Sequence, residues 1–350
     1  PANAQGNITR HLMVLQWPSV QCLSPCIASF EQRFSAMPAY SNDAPHLITA
    51  IDHRVDFLRG VVGVKGDTPS ASELERAAEL KGLVFAGLMA AIEAGVPKSQ
   101  IGVWADLDLG EAVLLRARGM SLMTAAAVER PGTQVFHFDD VLGFSRGLRR
   151  IDATFAAARI HFNPDGDLAN NEAHIHLIRR LSEICRSKGP RLLLELIVAP
   201  TENQLNRAGG MENWKADSEP EVLVSSIQDL QNAGIDPHVW VIDPPLDPRA
   251  AATFAAQAHI DDRQDVGVLF AVGSGQVPDG NEPRDAAIVE LAARTPGITG
   301  LLFGPVVYGK AVAGFNAGTL NRSKAVKMIA SALSELYGNY TLARRTSDVV

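Results

Sequence analysis

The sequence predicts an α/β fold, specifically a (β/α)8 TIM barrel over residues 46–345 preceded by an N-terminal extension over 1–45. Three observations carry that expectation. Short, nearly continuous apolar runs recur from residue 46 onward, and helix-forming sequence follows them. Most of these runs end in a polar or glycine-rich cluster, as strands do in enzymes that present their chemistry at strand C-termini. Eight such runs occur, their apolar continuity fits parallel strands covered on both faces, and eight is the number that closes a barrel. An open doubly wound sheet is the structural rival. It would show a Gly-x-Gly-x-x-Gly turn after its first strand, where this chain has Asp52-His53-Arg54.

Residues 1–45 have no sustained period and contain Pro18, Pro25, Pro38 and Pro45, which separates them from the alternating region. The first strand is Leu47 to Ile51, short and β-branched, ending in Asp52-His53-Arg54. A long helix from about Ser72 to Ala94 follows, with Pro69-Ser70 ahead of it and Gly95 closing it. Ile101 to Ala105 is the second strand, ending in Asp106-Leu107-Asp108. Leu122 to Val128 is the third, ending in Glu129-Arg130. Phe155 to Phe162 is the fourth, and it runs into the turn Asn163-Pro164-Asp165-Gly166-Asp167 before a helix from about Asn171 to Ser187. The fifth strand, Arg191 to Val198, carries Glu195 between Leu194 and Leu196. Helix 219–233 leads to the sixth, Val239 to Asp243. A helix over 250–258, the seventh strand Val266 to Val272, a helix near 284–294, the eighth strand Ile298 to Phe303 and a helix from Arg322 to Tyr337 complete the series.

Composition narrows the function classes. With 350 residues, 46% hydrophobic and 20% charged, the chain can bury a large core. Its formal net charge of -7 and scattered basic residues lack the electrostatic footprint of a nucleic-acid binder. No apolar run reaches membrane-spanning length, and no basic-then-apolar leader opens the chain, so neither a membrane partner nor secretion is expected. Cys22, Cys26 and Cys185 are too few and too unevenly placed for a disulfide framework, which points to a cytoplasmic setting.

In a barrel, strand C-termini converge on one mouth. The candidate catalytic groups there are Glu195, Asp243, Asp52 and Asp106, carboxylates suited to proton transfer. Candidate substrate-binding groups are His53, Arg54, Arg130, His161, Asn163 and Gly304, with Gly273-Ser274-Gly275 as a phosphate cradle after strand seven. Each has a plainer alternative: acids just past strands cap helices and anchor loops, and a Gly-Ser-Gly is also an ordinary tight turn. Glu195, flanked by leucines, must be paired or protonated if buried, and Arg54 or Arg130 is its expected partner.

The segments Asp52-His53-Arg54, Val128-Glu129-Arg130, Phe162-Asn163-Pro164-Asp165-Gly166-Asp167, Leu194 to Pro200, Val239 to Asp243 and Gly304 occur in an order that resembles the aldolase-type domain at the C-terminal end of bifunctional 5-dehydro-2-deoxygluconokinases. That domain is related to the class I tagatose-bisphosphate aldolases. The resemblance covers most of 46–340 and implies a barrel that cleaves a phosphorylated keto-sugar acid from inositol breakdown into two three-carbon pieces. The chain departs from the family pattern at three places. Val241 stands where relatives carry the strand-six Schiff-base lysine, Arg130 where they carry a lysine after strand three, and Pro305 where an arginine follows the strand-eight glycine.

Aldol cleavage needs an electron sink, either an iminium or a divalent metal. Lys65 and Lys310, in the segments after strands one and eight, are the sequence candidates for the amine. The metal route would draw on His53 or His161 with Asp106, Asp108, Glu195 or Asp243, although no tight ligand spacing marks a site, and no cofactor is the primary expectation. Two functions follow: an aldolase-like lyase acting on a sugar-derived small molecule, or a barrel that has lost Schiff-base chemistry and serves as a ligand-binding protein or an enzyme of changed reaction. A homo-oligomer is expected by analogy with other barrels.

Overall fold

The computed structural model of the protein describes residues 44–52, 57–66, 68–130, 133, 135–138, 144–273 and 282–347. Eight parallel strands close a barrel in sequence order: β1 (His46–Ala50), β2 (Ile101–Ala105), β3 (Met123–Ala127), β4 (Phe155–His161), β5 (Arg191–Ile197), β6 (Val239–Ile242), β7 (Gly267–Val272) and β8 (Gly300–Phe303). The expected (β/α)8 fold is therefore the observed one, and every expected strand is present within two residues of its expected ends. The stretch 1–45 lies outside the described residues apart from its last two, and Cys22 and Cys26 lie there too.

Closure depends on the contact of β8 with β1. Gly300 pairs with His46 across the seam, and a Cβ on Gly300 would come within 2.0 Å of the His46 carbonyl oxygen. The glycine also holds φ at +149°, a conformation that side chains disfavour.

Strand residues alternate between two packed layers, as a period of two requires. Trp104, Phe155, Leu193, Val241, Leu269 and Leu302 belong to an apolar cluster on the inner face of the barrel. The alternate residues, such as Val103, Leu194, Trp240 and Phe270, pack outward in the larger core under the helices.

The helices are α1 (Ala71–Glu93), α2 (Glu111–Gly119), α3 (Phe144–Ile151), α4 (Leu168–Lys188), α5 (Glu202–Ala208), α6 (Met211–Asn213), α7 (Glu219–Asn232), α8 (Pro248–Ala258), α9 (Glu282–Arg294), α10 (Pro305–Asn316) and α11 (Arg322–Ser347). Ser70 caps α1 through a reciprocal capping box with Glu73. The small side of α1 at Gly87 lies against Ile329 of α11 so closely that a Cβ there would fall 2.4 Å from it. Sequence periodicity did not place α2, α3, α5, α6 or α10. In α10 the reason is visible: Pro305, met in the sequence as a break after Gly304, occupies the first helical turn, where its missing N–H costs nothing. A π-helical turn, Trp214–Ser218, joins α6 to α7 and lies over the mouth segment that follows β5. None of the described helices is long and apolar enough to cross a membrane.

Candidate active site

The register across β4, β5 and β6 sets the site. Arg159 stands opposite Glu195, and Glu195 stands opposite Val241. By strand alternation all three belong to the inward-facing set, the set that includes Phe155 and Ala157 on β4, Leu193 on β5 and Val241 itself. Above the apolar interior, a row of side chains thus begins with a cation and a carboxylate.

Arg159 organises this row. Its Nε donates to Glu195 Oε2 at 2.7 Å and its Nη1 to Asp52 Oδ2 at 3.4 Å, while its guanidinium carbon lies 5.3 Å from the centre of the Trp104 ring. Burial works against the charge on the guanidinium, but Glu195, Asp52 and Glu129 outweigh it and hold Arg159 above the ordinary arginine range. The two carboxylate side chains are 6% and 2% exposed, whereas Arg159 keeps 23%. The cation is therefore the member of the trio that faces solvent, and its Nη2 makes no hydrogen bond among the described residues. The expectation that a buried Glu195 must be paired holds, but its partner is Arg159, a neighbour across the sheet. Arg130 is exposed and Arg54 lies outside the described residues. Arg159 was missed as a site residue because it sits inside the strand pattern, where only register shows that it opposes Glu195.

Two other sequence candidates serve the scaffold. Asp106 is fully buried, ion-paired to the fully buried Lys81 of α1, and accepts the backbone N–H groups of Asp108 and Leu109 at 3.0 and 2.6 Å. This carboxylate is consumed in fastening the turn after β2 to α1. Asn163 donates to Ala199 O at 2.8 Å and Gln204 Oε1 at 2.7 Å and accepts from Asp165 N at 3.0 Å. It ties the turn after β4 to the segment after β5, while Asp167 caps α4 by accepting from Asn170 N at 2.8 Å.

Further around the mouth, Asp243 follows β6 and accepts from Arg284 Nη2 of α9 at 2.7 Å. Burial pushes its carboxyl up, against the opposing pull of Arg284 and Lys215. Ile197 and Asp243, each two residues beyond the Glu195–Val241 pair, line a cleft of about 260 Å³ with Trp214, Lys215 and Glu219. Burial, reinforced by Asp243, pushes Glu219 up to about 7, although Lys215 and Arg284 act in the opposite sense. Lys215, Glu219 and Arg284 carried no sequence signal: they lie in helical or turn segments that reach the mouth only after folding.

His161, on the rim, is held below the ordinary histidine value by desolvation first and by Arg159 second. Gly273 has φ +62° and would press a Cβ to 2.6 Å from Val306, so a close approach to α10 explains this glycine without a ligand. Ser274, Gly275 and His53 lie outside the described residues. Gly304 is buried and precedes α10. Lys65 and Lys310 are exposed and do not line the cleft. Among the described residues no three His, Cys, Asp or Glu side chains cluster as metal ligands. Three described members of the expected metal set are held in separate ion pairs, Asp106 with Lys81, Glu195 with Arg159 and Asp243 with Arg284.

Comparison with solved structures finds the same barrel fold in other proteins. A protein from Corynebacterium glutamicum is 15% identical, with a TM-score of 0.50 over 83% of this chain and 85% of that one. An archaeal fructose 1,6-bisphosphate aldolase is 15% identical, with a TM-score of 0.52 over 89% and 99%. A further archaeal fructose-1,6-bisphosphate aldolase structure, whose catalytic lysine is covalently bound to the carbinolamine intermediate of the substrate, gives 15% and 0.51 over 88% and 99%. At that identity the likeness is one of fold alone. No curated protein matches the sequence. A family model does match, over residues 33–344, and the chain belongs to that family, DUF2090, described as an uncharacterized protein conserved in bacteria.

Proposed function

We propose that the protein is a carbon–carbon lyase of the aldolase type, acting on a small, sugar-derived keto acid that carries a phosphate, of the 5-dehydro-2-deoxyphosphogluconate class. The observation that carries this reading is the Arg159 site: a cation fixed by two buried carboxylates at the mouth of an aldolase-like barrel, with the arginine the most exposed of the three side chains. Such a group is preorganised to receive a carbonyl or carboxylate oxygen, because its orientation is set before any ligand arrives. In this reading Glu195 and Asp52 hold Arg159 in place, and proton transfer falls to groups with accessible, shifted acidity, Asp243 and His161.

The test is direct. Purified protein is given phosphorylated 2-deoxy-5-keto sugar acids, and release of three-carbon products is followed with coupling enzymes. Cleavage by the native protein, lowered about 100-fold or more in kcat/KM by Arg159→Ala, supports the reading. Absence of cleavage across that substrate class sinks it.

Val241 favours a second reading. It is fully buried beside Glu195 in the inner apolar cluster, at the place where the aldolases that this sequence resembles carry their lysine. A barrel that binds an anionic ligand without cleaving it is consistent with that exchange. Calorimetry with the same compounds separates the two, since binding without product formation is the signature of the second.

A further inference from the structure

Lysines are sparse in this chain: Lys65, Lys81, Lys98, Lys188, Lys215, Lys310, Lys324 and Lys327. Position disposes of most of them as groups able to meet a substrate carbonyl. Lys98 and Lys188 lie just before β2 and β5, at the end of the barrel opposite the mouth. Lys81 is fully buried and ion-paired to Asp106. Lys324 and Lys327 are exposed on α11, and Lys65 and Lys310 are exposed away from the cleft. Lys215 alone among these lines the cleft above β5 and β6.

The geometry points to Lys215 as the amine that forms an iminium with a substrate ketone in this cleft, with Glu219 as its proton-exchange partner. The inference rests on the carbon–carbon lyase reading and supplies the electron sink which that reading lacks at Val241.

Asp243 is two residues beyond Val241 and Ile197 two beyond Glu195, and both line the cleft together with Lys215 of the Trp214–Ser218 turn. Glu219, the first residue of α7, follows Lys215 by four residues along helical backbone. Both side chains line the same cleft, and Lys215 is close enough to act on the ionisation of Glu219 and of Asp243. Trp214 is 1% exposed and lines the cleft, and its buried indole N–H has no acceptor among the described residues. Arg284 Nη1 is likewise unpartnered among the described residues, beside its bond to Asp243.

The steps balance with these groups alone. The Glu219 carboxylate takes a proton from the Lys215 ammonium, and the neutral amine attacks the ketone carbon, forming a C–N bond as the carbonyl electron pair moves to oxygen. That oxygen collects the proton returned by Glu219 together with the second amine proton and leaves as water, giving an iminium of unchanged total charge. Asp243 then removes the proton of the substrate hydroxyl. The C–C bond breaks, its electron pair neutralises the iminium as an enamine, and an aldehyde departs. Protonation of the enamine carbon and addition of water return the ketone and the Lys215 ammonium.

The experiment is reductive trapping on the full chain. Dihydroxyacetone phosphate and pyruvate are the probes, borohydride the reductant, and peptide mapping by mass spectrometry the readout. The expected result is an adduct on Lys215 that disappears in Lys215→Arg, persists in Lys65→Arg and Lys310→Arg, and forms at least about 10-fold more slowly in Glu219→Gln. No adduct at Lys215 with either probe, or labelling spread evenly over Lys65, Lys310 and Lys324, overturns the inference. The two readings fail separately: cleavage measured without a Lys215 adduct removes this inference and leaves the lyase, whereas a Lys215 adduct without cleavage removes the lyase and leaves a carbonyl-capturing amine.

Discussion

Arg159 on β4 and Glu195 on β5 are direct register partners, and their side chains join at 2.7 Å between Nε and Oε2. Adjacent parallel strands bring two inward-facing residues to the same height, so the pair needs no loop to assemble it. Asp52, at the end of β1, completes the clamp at 3.4 Å.

Because Arg159 loses its nearer counter-charge in Glu195→Ala, that substitution is expected to destabilise the protein by about 3 kcal/mol, the low end of the range for breaking a buried pair, since Asp52 remains. Urea denaturation of the two proteins measures it. Glu195→Gln, which keeps an acceptor for Arg159 Nε, should cost less.

Lys81 and Asp106 form the more deeply buried pair, both side chains at 0% exposure. Asp106→Ala strands an ammonium in the core and removes the acceptor for two turn amides, at an expected cost of about 3–5 kcal/mol. Replacing both partners, Lys81→Met with Asp106→Leu, should recover most of that loss. A double-mutant cycle in which the double variant is no more stable than Asp106→Ala contradicts this account.

Glu219 gives a pH dependence whose sign is fixed. Its carboxyl is pushed from the ordinary 4.5 up to about 7 by burial and Asp243, with Lys215 and Arg284 opposing. The folded state therefore binds more protons than the unfolded state between those values, and stability falls as pH rises through that window. Glu219→Gln should flatten the fall, leaving the contribution of Asp243, which burial also pushes up, and the opposing contributions of His161 and His238, which burial holds low. Thermal unfolding followed from pH 4.5 to pH 8 reads the difference, and an identical slope in the variant counts against it.

At the α1–α11 contact, Gly87→Ala places a methyl where Ile329 side-chain atoms lie at 2.4 and 2.5 Å. Helix propensity favours alanine by about 1 kcal/mol, but overpacking costs about 1–3 kcal/mol, so net destabilisation is expected. Pairing it with Ile329→Val should relieve part of the clash. A more stable Gly87→Ala protein in chemical denaturation removes the close-packing argument.

What could be read from residues alone was whatever depends on local period and composition. Each barrel strand is a four- to seven-residue apolar run closed by a polar or glycine cluster, so the strands, their number and the closed parallel barrel were legible before folding. The same local logic exposed Glu195 as a carboxylate in need of a partner, and Asp52 and Asp243 as residues of the mouth. Asp106 and Asn163 showed the limit of that logic. Both occupy the expected strand ends, yet their polar atoms are spent on Lys81, on turn amides and on Gln204, partners 25 and 41 residues away for the side-chain pairs. The identity of the Glu195 partner depended on the relative register of two strands, and the gathering of Lys215, Glu219, Asp243 and Arg284 around one corner of the mouth depended on where the Trp214–Ser218 turn, α7 and α9 lie relative to the end of β6. Neither leaves a periodic trace in the sequence, because hydrogen bonds, ion pairs and burial act through space between segments whose separation along the chain is arbitrary. Tertiary structure alone decided which carboxylates are spent on the scaffold and which remain beside the cleft.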